Sequence, residues 1–107
     1  MSYLARITNG LVQGSAPLTE VEKASGFTLA ATDHRKSFIC AGTFTITLPA
    51  LAALGNGFEC EIINDGSGDV TIAGATSVVV GVGEMAVVKE ASGKQIVILG
   101  AFTVVRS

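Results

Sequence analysis

Few residues in this sequence could do chemistry. The sole histidine, His34, sits in Asp33-His34-Arg35-Lys36. Nucleophilic catalysis needs such a base within hydrogen-bond reach of an activated hydroxyl or thiol. No spacing in the chain supplies that pair, and an imidazole in a charged turn between strands reads as solvated. Asp65, Ser67 and Asp69 alternate like the opening of a calcium loop, whose oxygen ligands suit that cation. The twelfth position of such a loop carries a bidentate Glu, but here it is Thr76, so the glycine-rich cluster around Ser67 reads as a turn. Zinc needs paired ligands at short spacing, which Cys40, Cys60 and His34 lack. Gly81-Val82-Gly83 lacks the third glycine and following helix of a dinucleotide site and reads as a bend at a strand end. The expectation is therefore no catalytic residue, no metal, no cofactor and no enzyme activity.

Composition narrows the partners. With 107 residues, 49% hydrophobic and 15% charged, the chain can build one compact domain. Seven Lys and Arg are scattered among nine Asp and Glu, so no basic footprint for a phosphate backbone exists and nucleic acid is not expected as a partner. The stretch from Ser37 to Phe58 carries no charge and is long enough to span a bilayer. It contains Gly42, Pro49, Gly55, Asn56 and Gly57 and the alternating run TFTITL, which is a strand pattern, so no membrane association is expected. Arg6 and Thr8 fall where a signal peptide would be continuously apolar, which implies synthesis in a cytoplasm. Cys40 and Cys60 then read as buried thiols, with a disulfide between adjacent strands as the alternative. Sugar binding through stacked rings has little to work with: there is no Trp, Tyr3 is the single tyrosine, and Phe27, Phe38, Phe44 and Phe58 fall in phase with apolar neighbours.

The elements that must position these residues are strands. Phe27 and Leu29, Phe38 and Cys40, and Phe44, Ile46 and Leu48 recur at spacing two, with Thr43, Thr45 and Thr47 on the opposite face. Phe58, Cys60 and Ile62 point one way and Glu59 and Glu61 the other, the pattern of a half-buried strand. The cluster Asn64-Asp65-Gly66-Ser67-Gly68 is expected to turn this strand into Val70-Thr71-Ile72 as a hairpin, and Ala91-Ser92-Gly93-Lys94 to join Met85–Lys89 to Gln95–Leu99 in the same way. Pro49 to Leu54 is the one helical candidate, a short turn with Gly55 as its stop. The expected fold is all-β, an antiparallel β-sandwich or small jelly-roll-like barrel over residues 26–107, with residues 1–25 as an extended arm or first strand.

The run TFTITLPALAALGNGFECEIINDGSGDVTIAG at 43–74, followed by VGVGEMAVVKEASGKQIVIL, is similar to small β-sandwich modules in virion proteins of tailed bacteriophages. Such modules recur in head decoration proteins, spikes and tail fibres. The resemblance implies a virion structural protein, a homotrimer with the major capsid protein as partner, located on the capsid surface, without a small-molecule substrate. Gln95 and Ile96 stand where such modules often carry a Trp, which argues against a receptor-binding role. A fibre needs a shaft, and the sequence shows neither heptads nor a sustained long period. A decoration or cement protein needs a knob and a segment that lies along the lattice. On that reading Tyr3, Leu4, Ile7, Leu11 and Val12 contact the capsid by adding a strand to an exposed edge, unless they form the first strand of the domain itself. Val78, Val79 and Val80 are consecutive, as are Ile96, Val97, Ile98 and Leu99, so some must face away from their own core. Val79, Val97 and Leu99 are the expected subunit interface. A tail-fibre or spike module in host attachment, binding glycans, is the alternative function.

Overall fold

The computed structural model describes residues 7–8, 11–12, 19–74 and 76–101. The chain is mostly β. Its strands are β1 (Ile7–Thr8), β2 (Leu11–Val12), β3 (Thr19–Lys23), β4 (Phe27–Thr28), β5 (Lys36–Cys40), β6 (Phe44–Thr47), β7 (Glu59–Asn64), β8 (Val70–Ala73), β9 (Val78–Val80), β10 (Glu84–Ala91) and β11 (Lys94–Ala101). A 3₁₀ turn spans Ala31–Asp33, and one helical turn, α1, spans Leu51–Leu54 just after Pro49 and stops at Gly55, whose N–H donates to Leu51 O. That turn lies where Pro and Gly are expected to start and stop it.

Two mixed sheets carry the body. One has five strands in the order β11-β10-β7-β5-β3 and the other four, β4-β6-β8-β9. From β3 to β8 the chain crosses from one sheet to the other after every strand, so sequential strands of the same sheet run parallel: β3 with β5, β5 with β7, β4 with β6, β6 with β8. Only β7-β10-β11 and β8-β9 are antiparallel within these sheets. The expected antiparallel sandwich is corrected accordingly. Alternating strands read from a sequence show which residues share a face, but not which strand lies alongside.

Successive passes of the chain thus stack like turns of a coil. Val21 lies beside Phe38 and Phe38 beside Ile62 in the five-stranded sheet, while Phe27, Ile46 and Ile72 line up across the other. The core between the sheets joins Phe38, Cys40, Cys60, Ile62, Ala86 and Val88 from one layer to Ile46, Val70, Ile72 and Val80 from the other. Ile46, Ile62 and Ile72 are wholly buried, and each contributes about 1.5–3 kcal/mol by leaving water. A second cluster, Ile39, Ile63, Met85 and Val87, lies on the opposite face of the five-stranded sheet.

That second cluster corrects the half-buried reading of β7. Glu61 alternates with Ile62 as expected, yet it is fully buried and accepts a hydrogen bond of 2.5 Å from Ser37 Oγ on the neighbouring strand. Central strands of parallel sheets are characteristically covered on both faces, which alternation alone does not reveal.

The segment after β7 is also corrected. It leads to β8 in the other sheet and is a crossover, not a hairpin. Gly66 is needed there for closeness: a Cβ on it would stand 2.7 Å from Ala41 Cα and 2.9 Å from Gly42 N of the previous crossover. Asn64 pins the loop, its Nδ2 donating to Gly68 O and Val80 O at 2.8 Å while its Oδ1 accepts from Gly66 N–H. The β10–β11 connection is a true hairpin, with Ser92 and Gly93 both at positive φ (52° and 73°) as a type I′ turn demands.

Gly66→Ala is expected to lower stability by about 1–3 kcal/mol through this backbone clash, seen as a drop of roughly 4–8 °C per kcal/mol in the thermal midpoint by circular dichroism. Ser67→Ala, at an exposed neighbour, should stay within about 0.5 kcal/mol.

Candidate docking surface

His34 and its charged neighbours are engaged in holding the turn between β4 and β5. His34 is exposed, and its Nδ1 accepts the backbone N–H of Glu59 at 3.1 Å. Arg35, at φ 66°, forms an ion pair with Glu59 at 3.0 Å, and Lys36 reaches Asp33 at 3.0 Å. These partly exposed pairs are worth at most about 1 kcal/mol each. Among the described residues no group of three or more His, Cys, Asp and Glu is placed to hold a metal ion, and no helix is long and apolar enough to cross a membrane.

Cys40 and Cys60 are free and buried. Cys40 lies opposite Asn64, four residues along β7 from Cys60, or about 13 Å at 3.3 Å per residue. That separation is incompatible with a disulfide. Burial pushes the Cys40 thiol from 9.0 up to about 12, with nearby Lys23 pulling the other way. Burial raises Cys60 further, helped by the carboxylates of Asp33, Glu61 and Glu59.

The surface that stands out is one end of the stack. The five-stranded sheet outruns the four-stranded one, so β11 overhangs β9. Residues 97 and 99 lie opposite Val88 and Ala86 of the core and so face inward, but only Val97 finds cover. Leu99, on the same face, remains 42% exposed because no strand of the shorter sheet lies beneath it. Ile98 on the other face is 37% exposed and Val79 of β9 is 49% exposed. Under the overhang is a cavity of about 220 Å³ lined by Leu48, Thr76, Val78, Gln95 and Val97. Gln95 Nε2 ties the overhang to the loop opposite by donating to Pro49 O at 2.8 Å.

Three of the four edges of the two large sheets carry features that discourage strand addition. β3 is five residues long and bears Glu20, Glu22 and Lys23, while β4 and β9 have two and three residues. β11 differs: it runs eight residues, contains no proline, and is uncharged from Gln95 to Ala101.

Of the expected interface residues, Val79 and Leu99 are exposed at this end, and Val97 is partly buried against its own core. Ile98 and Val82, the latter 57% exposed in the turn between β9 and β10, are not among the expected residues. Alternation could have flagged Ile98, since it opposes Val97. Of the expected capsid contacts, Ile7, Leu11 and Val12 lie in the short β1–β2 hairpin, which belongs to neither large sheet and whose first strand comes near β11. Tyr3 and Leu4 lie outside the described residues.

Comparison with protein-family models, with curated proteins and with solved structures finds no match to this chain.

The buried thiols and Glu90 give stability opposite dependences on pH. Both thiols should resist iodoacetamide at pH 8 in the native protein and react fully in denaturant. Because their protons are held more tightly folded than unfolded, stability is intact below about pH 9 and falls as pH rises towards 12. Glu90 works in the opposite sense: its carboxylate accepts the N–H groups of Gly57 and Gly93 at 2.8 Å, which holds its pKa below the ordinary value of 4.5. Its contribution is present above that value and disappears as pH falls through the lowered one. Glu90→Gln should therefore flatten the acid limb of a stability-against-pH curve measured by urea unfolding.

Proposed function

We propose that this chain is a structural docking protein of a tailed-bacteriophage virion, a capsid decoration or cement protein that binds the assembled head and stabilises it. The observation that carries the docking part is the overhanging β11, an uncharged edge from Gln95 onward with Ile98 and Leu99 exposed to water. Such an edge is a template for strand pairing, and soluble proteins normally blunt it. The virion part rests on the resemblance over roughly residues 27–100 and on an apolar, sparsely charged composition suited to burial between proteins.

The mechanism is mass action without a reaction. A subunit that binds the assembled shell and not its separated parts stabilises that shell by about 2.7 kcal/mol per site when free at about 100 times its Kd. The partner is the major capsid protein. The segment with Tyr3, Leu4, Ile7, Leu11 and Val12 lies along the lattice, and the stacked body forms the knob.

The parallel coils of β3 to β8 favour one second reading, a tail-fibre or spike module in host attachment, because such stacking can extend into a shaft.

Purified protein added to heads lacking it should bind at an abundance comparable to that of the major capsid protein and raise the temperature at which heads rupture. Heads that neither bind it nor change their rupture temperature would refute the decoration role. A handful of copies per particle, with binding of the free protein to host cells or glycans, would favour the attachment reading.

A further inference from the structure

We propose that the stepped end of the molecule is the interface of a two-fold dimer, in which each copy's overhanging β11 lies over the other copy's open seam beside its β9. This rests on the docking part of the reading above and not on the virion assignment.

A five-stranded layer over a four-stranded layer leaves a step one strand wide, about 4.8 Å. The surface that fits a step is the same step inverted. A two-fold axis in the mid-plane between the layers supplies it, because rotation exchanges the long and short sheets. Each β11 then lies beside the partner's β9 where a fifth strand of the short sheet would stand, and because β9 offers only three residues the contact is made mainly by side chains. The other end of the molecule presents no comparable surface, since its edges are the charged β3 and the two-residue β4.

Chemistry agrees with shape. The Leu99 side chains of the two copies face each other across the axis, next to the cavity that Leu48, Thr76, Val78, Gln95 and the partly buried Val97 line. From Gln95 to Ala101 the strand has no charge to bury. Lys94 alternates with Gln95, Val97 and Leu99 and so stands on the outer face of the strand, turned away from the facing copy.

The area is sufficient. The eight-residue β11 is about 27 Å long, the three-residue β9 about 10 Å, and each layer about 10 Å deep, so the two edges plus the overlap give roughly 500 Å² per copy, about 1000 Å² in all. Specific interfaces start at roughly 1000 Å² in total. A two-fold contact is closed by construction, so the exposed edge is consumed and does not propagate. The unit is then a dimer in place of the homotrimer implied by the resemblance.

The full chain, with the β1–β2 hairpin that lies near β11, is the species to test. Light scattering should give twice the 10.9 kDa chain mass. Leu99→Lys places two charges face to face across the axis and should give a folded monomer, its fold checked by circular dichroism. Ile98→Lys, on the opposite face of the same strand, should leave the dimer intact. Leu99→Cys should be captured as a covalent dimer by a short bismaleimide, with buried Cys40 and Cys60 silent. A monomer or trimer at all concentrations, a dimer that survives Leu99→Lys, or failure of Leu99→Cys to cross-link would overturn the proposal. A dimer split by Leu99→Lys that ignores phage heads would leave it standing and remove the virion reading. Decoration of heads by a monomer would do the reverse.

Discussion

The parallel stacking of successive chain passes is the constraint on which the rest of this structure depends. Val21, Phe38 and Ile62 share one row across β3, β5 and β7, and Phe27, Ile46 and Ile72 another across β4, β6 and β8. Neighbours in a row are separated by a whole pass through the other sheet, so each of these contacts closes a long loop of chain. Where two of the loops between sheets meet, Gly66 lies against Ala41 and Gly42, and any side chain there would wedge two passes apart. Asn64 does the complementary work by binding Gly68 and Val80, which joins a crossover to the last strand of the short sheet.

Ending the stack has a structural consequence. After β8 the chain abandons the coil and runs antiparallel, β9 beside β8 and then the β10–β11 hairpin against β7. Two strands are thereby added to one layer and one to the other. The hairpin is long because Ser92 and Gly93 make a tight turn that keeps all eight residues of each strand in register. The inequality of the layers leaves Leu99 facing the core side but uncovered. The exposed apolar surface at this end therefore follows from strand count, while the other end carries charge and short strands.

The same geometry accounts for the polar residues. His34, Arg35 and Glu59 meet because β5 and β7 are neighbours, and their bonds fasten the 3₁₀ turn at the entrance of β5 to the entrance of β7. Ser37 and Glu61 pair on the face that carries Ile39, Ile63, Met85 and Val87. A buried carboxylate next to a hydroxyl is costly to desolvate unless hydrogen-bonded, so its presence ties the two strands to one register.

Local physics alone settles part of this protein. Alternation at spacing two identifies the strands through Phe38, Ile46 and Ile62, Pro49 and Gly55 bracket the single helical turn, and Ser92-Gly93 dictates the hairpin. These depend on neighbours a few residues apart, whose steric and solvent preferences are the same in any context. Only the tertiary structure decides that β5 lies parallel to both β3 and β7, that Glu61 is buried, that the 65–69 segment crosses between layers, and that Val97 is covered while Leu99 is not. Those outcomes hinge on which strand lies alongside and how many strands each layer holds. The alternation pattern is identical for parallel and antiparallel neighbours, and the pass from Val21 to Phe38 is shorter than the one from Ile46 to Ile72, so the stack leaves no fixed period to read.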